Sequence, residues 1–265
     1  MTGCCAIEAG VLPDHHAAGS RKSGQSPYCR LQGTQRGIMS SSKLTGLILR
    51  WTMGEVLILA ALVFIPAWTI HYWRAWVFIV VFVVSTNAVG IYVALTDPAL
   101  LERRQKAGPI KEQRPAQRVL TVLLILSCNA LVVVSALDHR FGWSHMPPIV
   151  SVVGDLLFGL GVFVVLLTLR ANTYGGSSVE VVEGQTVIST GPYAIVRHPM
   201  YVGAVVMAAG VPLALGSWWC LLAVLGVIAV LLGRILDEET LLCSDLADYI
   251  EYTQHVRYRL VPYVW

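Results

Sequence analysis

The chain has 265 residues, of which 55% are hydrophobic and only 13% are charged, and its mean hydropathy is +0.65. In soluble domains about a quarter of the residues are charged. This composition therefore excludes an ordinary water-soluble domain and indicates that a bilayer is the solvent. The formal net charge of +3 decides little, because in membrane proteins the placement of Lys and Arg matters more than their sum.

A polar and basic leader precedes the first apolar stretch. It is rich in Gly, Ser, Gln, His and Arg and lacks apolar periodicity, which predicts disorder over residues 1–43. It contains no apolar core of a signal peptide. Met39 opens the run MSSSK directly before the first apolar stretch, so we expect the leader either to be dispensable or to reflect a misplaced gene start at Met1. Residues 44–265 are predicted to form one multi-pass membrane domain.

Crossing a bilayer as a helix takes ~20 apolar residues. Six stretches approach this length, namely 47–67, 76–95, 119–137, 149–169, 201–215 and 218–235. The fifth is short, and only Gly216-Ser217 joins it to the sixth, which predicts a tight helical hairpin. The sequence therefore predicts an all-α integral membrane protein with about six transmembrane helices.

Basic residues predict the orientation in the membrane. Lys and Arg are frequent in the leader and in 97–118, whereas the opposite face has only Arg74 and Arg140. By the positive-inside rule both termini and the loops 97–118 and 170–200 are cytoplasmic.

Other polar groups give weaker signals. The six cysteines show no CxxC pair and no zinc-type spacing, so we expect neither a disulfide framework nor a metal site. Glu55, Asn87, Asn129 and Asp155 lie inside apolar stretches, and we expect them to make hydrogen bonds between helices.

The segment before the fifth stretch reads RANTYGGSSVEVVEGQTVISTGPYAIVRHPMY. Residues 179–188 have strand-like composition, and the Gly-Pro turn presents Tyr193. Proline favours the first helical position and keeps the preceding residue extended, so His198 is predicted to cap the fifth helix. A helix N-terminus flanked by Arg197 and His198 suits a carboxylate or phosphate of a ligand. Simple anchoring to lipid phosphates explains these residues equally well.

Acidic residues gather at the end of the last apolar stretch, where Arg234, Asp237, Glu238 and Glu239 follow one another. Arg234 and Glu238 are four residues apart and share a helical face. Acids at a helix C-terminus oppose the helix dipole, so a cation is expected nearby. The arrangement suits a ligand with charges of both signs, although an ordinary interfacial salt bridge is the simpler alternative. The aromatic and basic tail, 249–263, is expected either to fold onto this site or to anchor at the interface.

Three motifs together carry a resemblance. The runs GPYAIVRHPMYVG, RILDEETLL and VRYRLVPYVW, with DPALLERR upstream, resemble the isoprenylcysteine carboxyl methyltransferase and phospholipid methyltransferase superfamily. The resemblance implies S-adenosylmethionine as cofactor, bound between the Arg-His-Pro segment and the Glu-Glu pair, with the catalytic part at about 170–265. It places the cofactor near Tyr193, Arg197, His198, Pro199, Tyr201, Glu238 and Glu239.

The resemblance also implies roles for these residues. The ammonium of the cofactor would meet Glu238 or Glu239, and its carboxylate would meet His198 or Arg197. Arg234 would orient an acceptor carboxylate, which needs no general base. An amine or thiol acceptor would need one, and then Asp237 or Glu238 is the candidate. We expect a lipid acceptor, most simply an isoprenylcysteine-like carboxylate, that enters sideways from the bilayer.

Two other classes of function stay open. Membrane sterol and steroid reductases are similar in the C-terminal region, and an Arg234, Asp237, Glu238 and Cys243 pattern would then serve NADPH. A scaffold or small transporter would bind neither ligand and would place its charges around a cavity at the bilayer midplane.

Overall fold

The computed structural model describes residues 41–106, 114–172, 186–246 and 248–265. The chain divides into two units, Met1–Leu47 and Ile48–Trp265. Of the first unit the structure describes only residues 41–47, so the predicted disorder of the leader lies outside the described residues for 1–40. Most of the strand-like stretch, 179–185, lies outside them as well.

The described residues are helical and contain no β-strand. The helices are α1 (Ser41–Ala67), α2 (Trp73–Thr96), α3 (Pro98–Lys106), α4 (Pro115–Phe141), α5 (Pro148–Ala171), α6 (Pro199–Leu215), α7 (Cys220–Asp245) and α8 (Tyr249–His255). A 3-10 turn, Gly191–Ala194, lies between α5 and α6. The predicted all-α class is confirmed.

Five of these helices are long and apolar enough to cross a membrane. The candidate spans are Ile48–Ala67 of α1 together with α2, α4, α5 and α7. The sixth apolar helix, α6, has 17 residues, which is short of a full crossing when untilted. The protein is therefore an integral membrane protein that crosses the bilayer several times.

Glycines bring α5 and α6 into close contact. A Cβ atom added at Gly161 would lie 2.6 Å from the carbonyl oxygen of Gly203, and one added at Gly210 would lie 2.7 Å from the backbone nitrogen of Phe158. Small residues allow the backbones of membrane helices to approach each other closely. This packing fixes the start of α6 relative to the end of α5, which is where the chemistry-bearing residues lie.

The predicted hairpin between α6 and α7 is confirmed, and we call this end of the bundle the hairpin end. Gly216 adopts φ +82°, a left-handed conformation that glycine takes without strain. The carboxylate of Asp138, at the end of α4, accepts hydrogen bonds from the hydroxyl groups of Ser144 and Ser217. The Tyr72 hydroxyl donates to the carbonyl oxygen of Leu215. These bonds tie α2, α4 and the hairpin together.

The predicted hydrogen bonding between helices is confirmed for two of the four intramembrane polar residues, Glu55 and Asn87. The amide of Asn87 in α2 donates to the Glu55 carboxylate in α1 over 2.8 Å. Asn129 instead donates to the carbonyl oxygen of Ile125 in its own helix over 2.7 Å, so the prediction is wrong there. Asp155 is 8% exposed, and its Oδ1 atom has no hydrogen-bond partner within the described part of the chain.

Candidate functional site

The site lies at the end of the bundle opposite the hairpin, where α4 and α6 begin and α5 and α7 end. His198 is the N-cap residue of α6, with φ −124°, and Pro199 occupies the first helical turn. The predicted start of this helix is therefore confirmed. The His198 side chain makes no capping hydrogen bond, because its ring turns toward α7 instead.

The buried carboxylate of Glu239 joins three separate segments of the chain. Its Oε1 atom lies 3.0 Å from Arg197 Nη1 and 3.3 Å from His198 Nε2, and its Oε2 atom lies 2.7 Å from Arg259 Nε. Glu239 is 2% exposed, and a carboxylate so far from water is stable only when it is paired and hydrogen-bonded. We call these four residues the Glu239 cluster.

The C-terminal tail folds onto the start of α6. This is one of the two arrangements expected from the sequence. The backbone N–H of Arg197 donates to the carbonyl oxygen of Tyr258 over 2.9 Å, and that of His198 donates to Arg259 over 3.0 Å. The Arg259 guanidinium also stacks 5.0 Å from the centre of the Trp265 ring. The tail is thus held by its backbone as well as by the ion pair to Glu239.

Arg259 is the member of the cluster that sequence reasoning did not assign to the site. The signal was present, because acids at the C-terminal end of α7 require a cation nearby. Several arginines satisfied that requirement equally well on the sequence alone, and only the folded tail identifies Arg259.

A second group of contacts surrounds Tyr201 in α6. Its hydroxyl donates to Glu238 Oε2 over 2.8 Å, and Arg234 Nε lies 3.5 Å from the same hydroxyl. Arg234 also donates to the hydroxyl of Thr121 in α4. Arg234 is 5% exposed and, within the residues that the structure describes, it makes no ion pair with a carboxylate. Glu238 in contrast remains partly exposed.

Asp237 serves as a link between α4 and α7. Its Oδ1 atom lies 2.9 Å from Arg114 Nη2, and its Oδ2 atom accepts a hydrogen bond of 2.7 Å from the Gln117 amide. The Gln117 amide also donates to the backbone carbonyl of Arg234 over 3.2 Å. Both oxygens of this carboxylate are therefore already engaged.

Tyr193 connects the 3-10 turn to α5 and to α8. Its hydroxyl accepts a hydrogen bond of 3.0 Å from the Asn172 amide, and its carbonyl oxygen accepts one of 2.7 Å from the Tyr252 hydroxyl. Burial raises the pKa of Tyr193 to about 12; the Asn172 hydrogen bond opposes this and the Glu238 charge adds to it. The phenol is therefore neutral at physiological pH.

Two buried polar atoms beside the Glu239 cluster have no hydrogen-bond partner among the described residues. They are Arg197 Nε and the hydroxyl of Tyr249 in α8. Burial raises the pKa of Tyr249, the charges of Glu239 and Glu238 raise it further, and the charge of Arg197 opposes them. Buried polar groups almost always have partners, so each of these two donors requires an acceptor that the described residues do not supply.

The structure thus brings the predicted residues together at one end of the bundle. Arg197, His198 and Glu239 are in contact, and so are Tyr201, Arg234 and Glu238. Pro199 starts the helix that carries Tyr201. No group of three or more His, Cys, Asp or Glu residues in the described ranges is arranged to hold a metal ion.

Fold and site together define a helical integral membrane protein with a charged cluster at one end of its bundle. Residues 149–245, from the second residue of α5 to the last residue of α7, match the sequence model of the phospholipid methyltransferase family. The match agrees with the resemblance that the motifs indicated to the isoprenylcysteine/phospholipid methyltransferase superfamily, and it implies a membrane methyltransferase. No curated protein matches the chain.

Proposed function

We propose that the protein uses S-adenosylmethionine to methylate a lipid acceptor that carries a carboxylate, with an isoprenylcysteine-like molecule as the favoured acceptor. Methyltransferases of the matched family generally use this cofactor. The observation that carries the proposal is the buried guanidinium of Arg234, whose hydrogen-bond partners among the described residues are the hydroxyl groups of Tyr201 and Thr121 and no carboxylate.

The residues at the site suit the amino-acid end of the cofactor. Glu238 is partly exposed and has one hydrogen bond, from Tyr201, so it has acceptor capacity for an ammonium group. Arg197 Nε and the Tyr249 hydroxyl, which have no partner within the described part of the chain, would donate to a carboxylate. When bound, the cofactor supplies a methyl group that its sulfonium already activates.

Glu239 then has a supporting role. Its two oxygens already accept from two arginines and a histidine, which leaves little capacity for a further cation. By holding Arg197 and His198 at the start of α6, it fixes the direction of the donors that face the ligand. Of the two glutamates, Glu238 is therefore the partner that we assign to the ammonium.

The buried positive charge of Arg234 favours an acidic acceptor. A buried arginine is strongly stabilised by a carboxylate or phosphate that it can bind in a bidentate manner. A carboxylate is ionised at neutral pH, so the protein has only to align it with the methyl group, and such positioning supplies ~7–11 kcal/mol. Of the two candidate bases for an amine or thiol acceptor, Asp237 is engaged by Arg114 and Gln117, and Glu238 is the residue that we assign to the cofactor's ammonium. The basic composition of 97–118 supports a site on the cytoplasmic side.

Binding of a demethylated cofactor and of a nicotinamide cofactor provides the first test. The purified protein in lipid nanodiscs is titrated with S-adenosylhomocysteine and, separately, with NADPH. The proposal expects saturable binding of the first alone. Binding of NADPH alone would establish the reductase alternative, and binding of neither would favour the scaffold.

The second test identifies the bond that is formed. The protein is incubated with methyl-labelled S-adenosylmethionine and a total lipid extract, and the labelled products are treated with mild alkali. Methyl esters release labelled methanol under these conditions, whereas N-methyl groups are retained. Label that resists alkali would overturn the carboxylate acceptor while leaving methyl transfer intact.

A further inference from the structure

A cleft separate from the Glu239 cluster lies at the same end of the bundle. Its volume is about 770 Å³, within the range of binding sites for small molecules. The last two turns of α5, the first turn of α6, the 3-10 turn and the tail enclose it. Its lining is apolar, with Leu167, Val202 and Leu260 as examples, and Arg170 is the one charged residue among the described residues that line it.

The backbone of residues 196–199 separates this cleft from the Glu239 cluster. Val196 and Pro199 line the cleft, whereas the two residues between them, Arg197 and His198, reach Glu239. Neither Arg234 nor Glu238 is among the residues that line the cleft. The cleft is therefore a second site and not an extension of the first.

Arg170 places a positive charge at the mouth of the cleft. Its side chain is exposed, and its guanidinium stacks 5.7 Å from the centre of the Tyr92 ring. It lies in the last turn of α5, a helix long enough to span the membrane, and therefore at the level of lipid head groups. Basic pockets between membrane helices at this level attract anionic lipid head groups.

The residues around the mouth are exposed and apolar. Ile195, which lines the cleft, is 62% exposed, and in the tail Tyr263 and Val264, which follow the lining residue Pro262 in the chain, are 89% and 78% exposed. Large apolar side chains exposed beside a membrane helix are suited to contact with the bilayer. Beside the end of a membrane helix, the surface available to them is the interface of the bilayer.

We propose that this cleft binds one hydrocarbon chain of a bilayer lipid whose anionic head group pairs with Arg170. The apolar lining receives the chain, and the single guanidinium selects the charge of the head group. This lipid is not the methyl acceptor. It fills the space between α5 and the tail, and it thereby supports the segment that presents Arg197 and His198.

Lipid retention of the full chain tests the head-group contact. The protein is exchanged into nanodiscs of equal parts phosphatidylglycerol and phosphatidylcholine, and retained lipid is measured by native mass spectrometry. We expect preferential retention of phosphatidylglycerol. Arg170→Gln should reduce that retention about tenfold, as for the loss of a hydrogen bond to a charged group.

Arg140→Gln is the matched control. Arg140 is also an exposed arginine at the end of a membrane helix and stacks on aromatic rings, over Trp68 and Phe141 at 5.4 Å each. It lies in the last turn of α4, at the hairpin end, whereas the cleft lies at the other end of the bundle. Equal retention by the wild type and Arg170→Gln, or an equal loss in Arg140→Gln, would overturn the proposal.

A second pair of variants tests the chain contact. Leu167→Trp fills the cleft, so it should reduce retention of both lipids, whereas Leu160→Trp changes an exposed residue of the same helix and should leave retention unchanged. Displacement of the lipid by inorganic phosphate would show that no chain is bound. Recovery of methyl-labelled lipid from the cleft would make it the acceptor site, contrary to the proposal. Failure to bind S-adenosylhomocysteine would affect only the proposed function.

Discussion

His198 Nε2 and Glu239 Oε1 lie 3.3 Å apart, although 41 positions separate the two residues in the chain. This contact joins the N-cap of α6 to the last turns of α7, and Arg259 adds the tail to the same carboxylate. The candidate site therefore depends on a single buried acid for its assembly. The predictions below separate that structural role from the binding and turnover roles of neighbouring residues.

Replacement of Glu239 by Gln should destabilise the protein strongly. The variant leaves two arginines and a histidine around a neutral amide, and breaking a buried ion pair typically costs about 3–5 kcal/mol. The measurement is thermal unfolding in a fixed detergent. Glu251→Gln, an exposed position in α8, is the matched control and should unfold like the wild type. A Glu239→Gln variant as stable as the wild type would contradict the role of Glu239 as the centre of the cluster.

Glu238→Gln should weaken binding of S-adenosylhomocysteine and leave unfolding nearly unchanged. Glu238 is partly exposed and accepts one hydrogen bond from Tyr201, which a glutamine oxygen can also accept. The lost contact to an ammonium corresponds to roughly a tenfold to hundredfold weaker affinity. Calorimetric titration provides the measurement, again with Glu251→Gln beside it. An unchanged dissociation constant would remove Glu238 as the ammonium partner.

Arg234→Lys should reduce methyl transfer more than cofactor binding. Lysine keeps the buried charge but lacks the planar fork that holds a carboxylate in a bidentate manner. Loss of one oriented donor typically lowers kcat by about a hundredfold to a thousandfold. Initial rates with labelled cofactor, together with the affinity for S-adenosylhomocysteine, provide the two readouts. A wild-type rate would exclude Arg234 from the mechanism.

Gly161→Ala should destabilise the bundle, whereas Gly159→Ala in the same helix should not. A Cβ at position 161 would meet the backbone of α6, but one at position 159 meets nothing within 4 Å. Overpacking of this kind costs about 1–3 kcal/mol, while alanine for glycine at an open helical position is favourable by up to about 1 kcal/mol. Thermal unfolding of the two variants measures the difference. Equal midpoints would show that α5 and α6 are not held at this distance.

Proline, glycine and hydropathy signals in the sequence predicted where most helices lie, but they predicted the polar end of the last helix less well. The N-cap at His198 followed from the proline that comes after it, and the hairpin followed from Gly216. The apolar stretch of the last span ends at 235, yet α7 continues to Asp245. It continues because its acids find partners, Asp237 with Arg114 and Glu239 with the cluster, and hydropathy does not report such contacts.

Tertiary contacts determined the rest of the site. From the sequence alone the two glutamates are equivalent. The fold distinguishes them, because Glu239 is surrounded by cations and Glu238 is left partly exposed. Arg259 is one of two arginines in the tail, and only the backbone pairing of 197–198 with 258–259 distinguishes it from Arg257. Pairings between residues about sixty positions apart leave no periodic signal in a sequence.

The pairing of the tail with the start of α6 also sets an order of events during synthesis. Arg259 follows every candidate span that the structure describes, so the helices can enter the bilayer while the cluster still lacks its last cation. Until the tail folds back, Glu239 lacks Arg259, and the backbone N–H groups of Arg197 and His198 lack their acceptors at Tyr258 and Arg259. Insertion of the membrane helices and completion of the Glu239 cluster are thus separable steps, because the residue that completes the cluster lies outside every one of those helices.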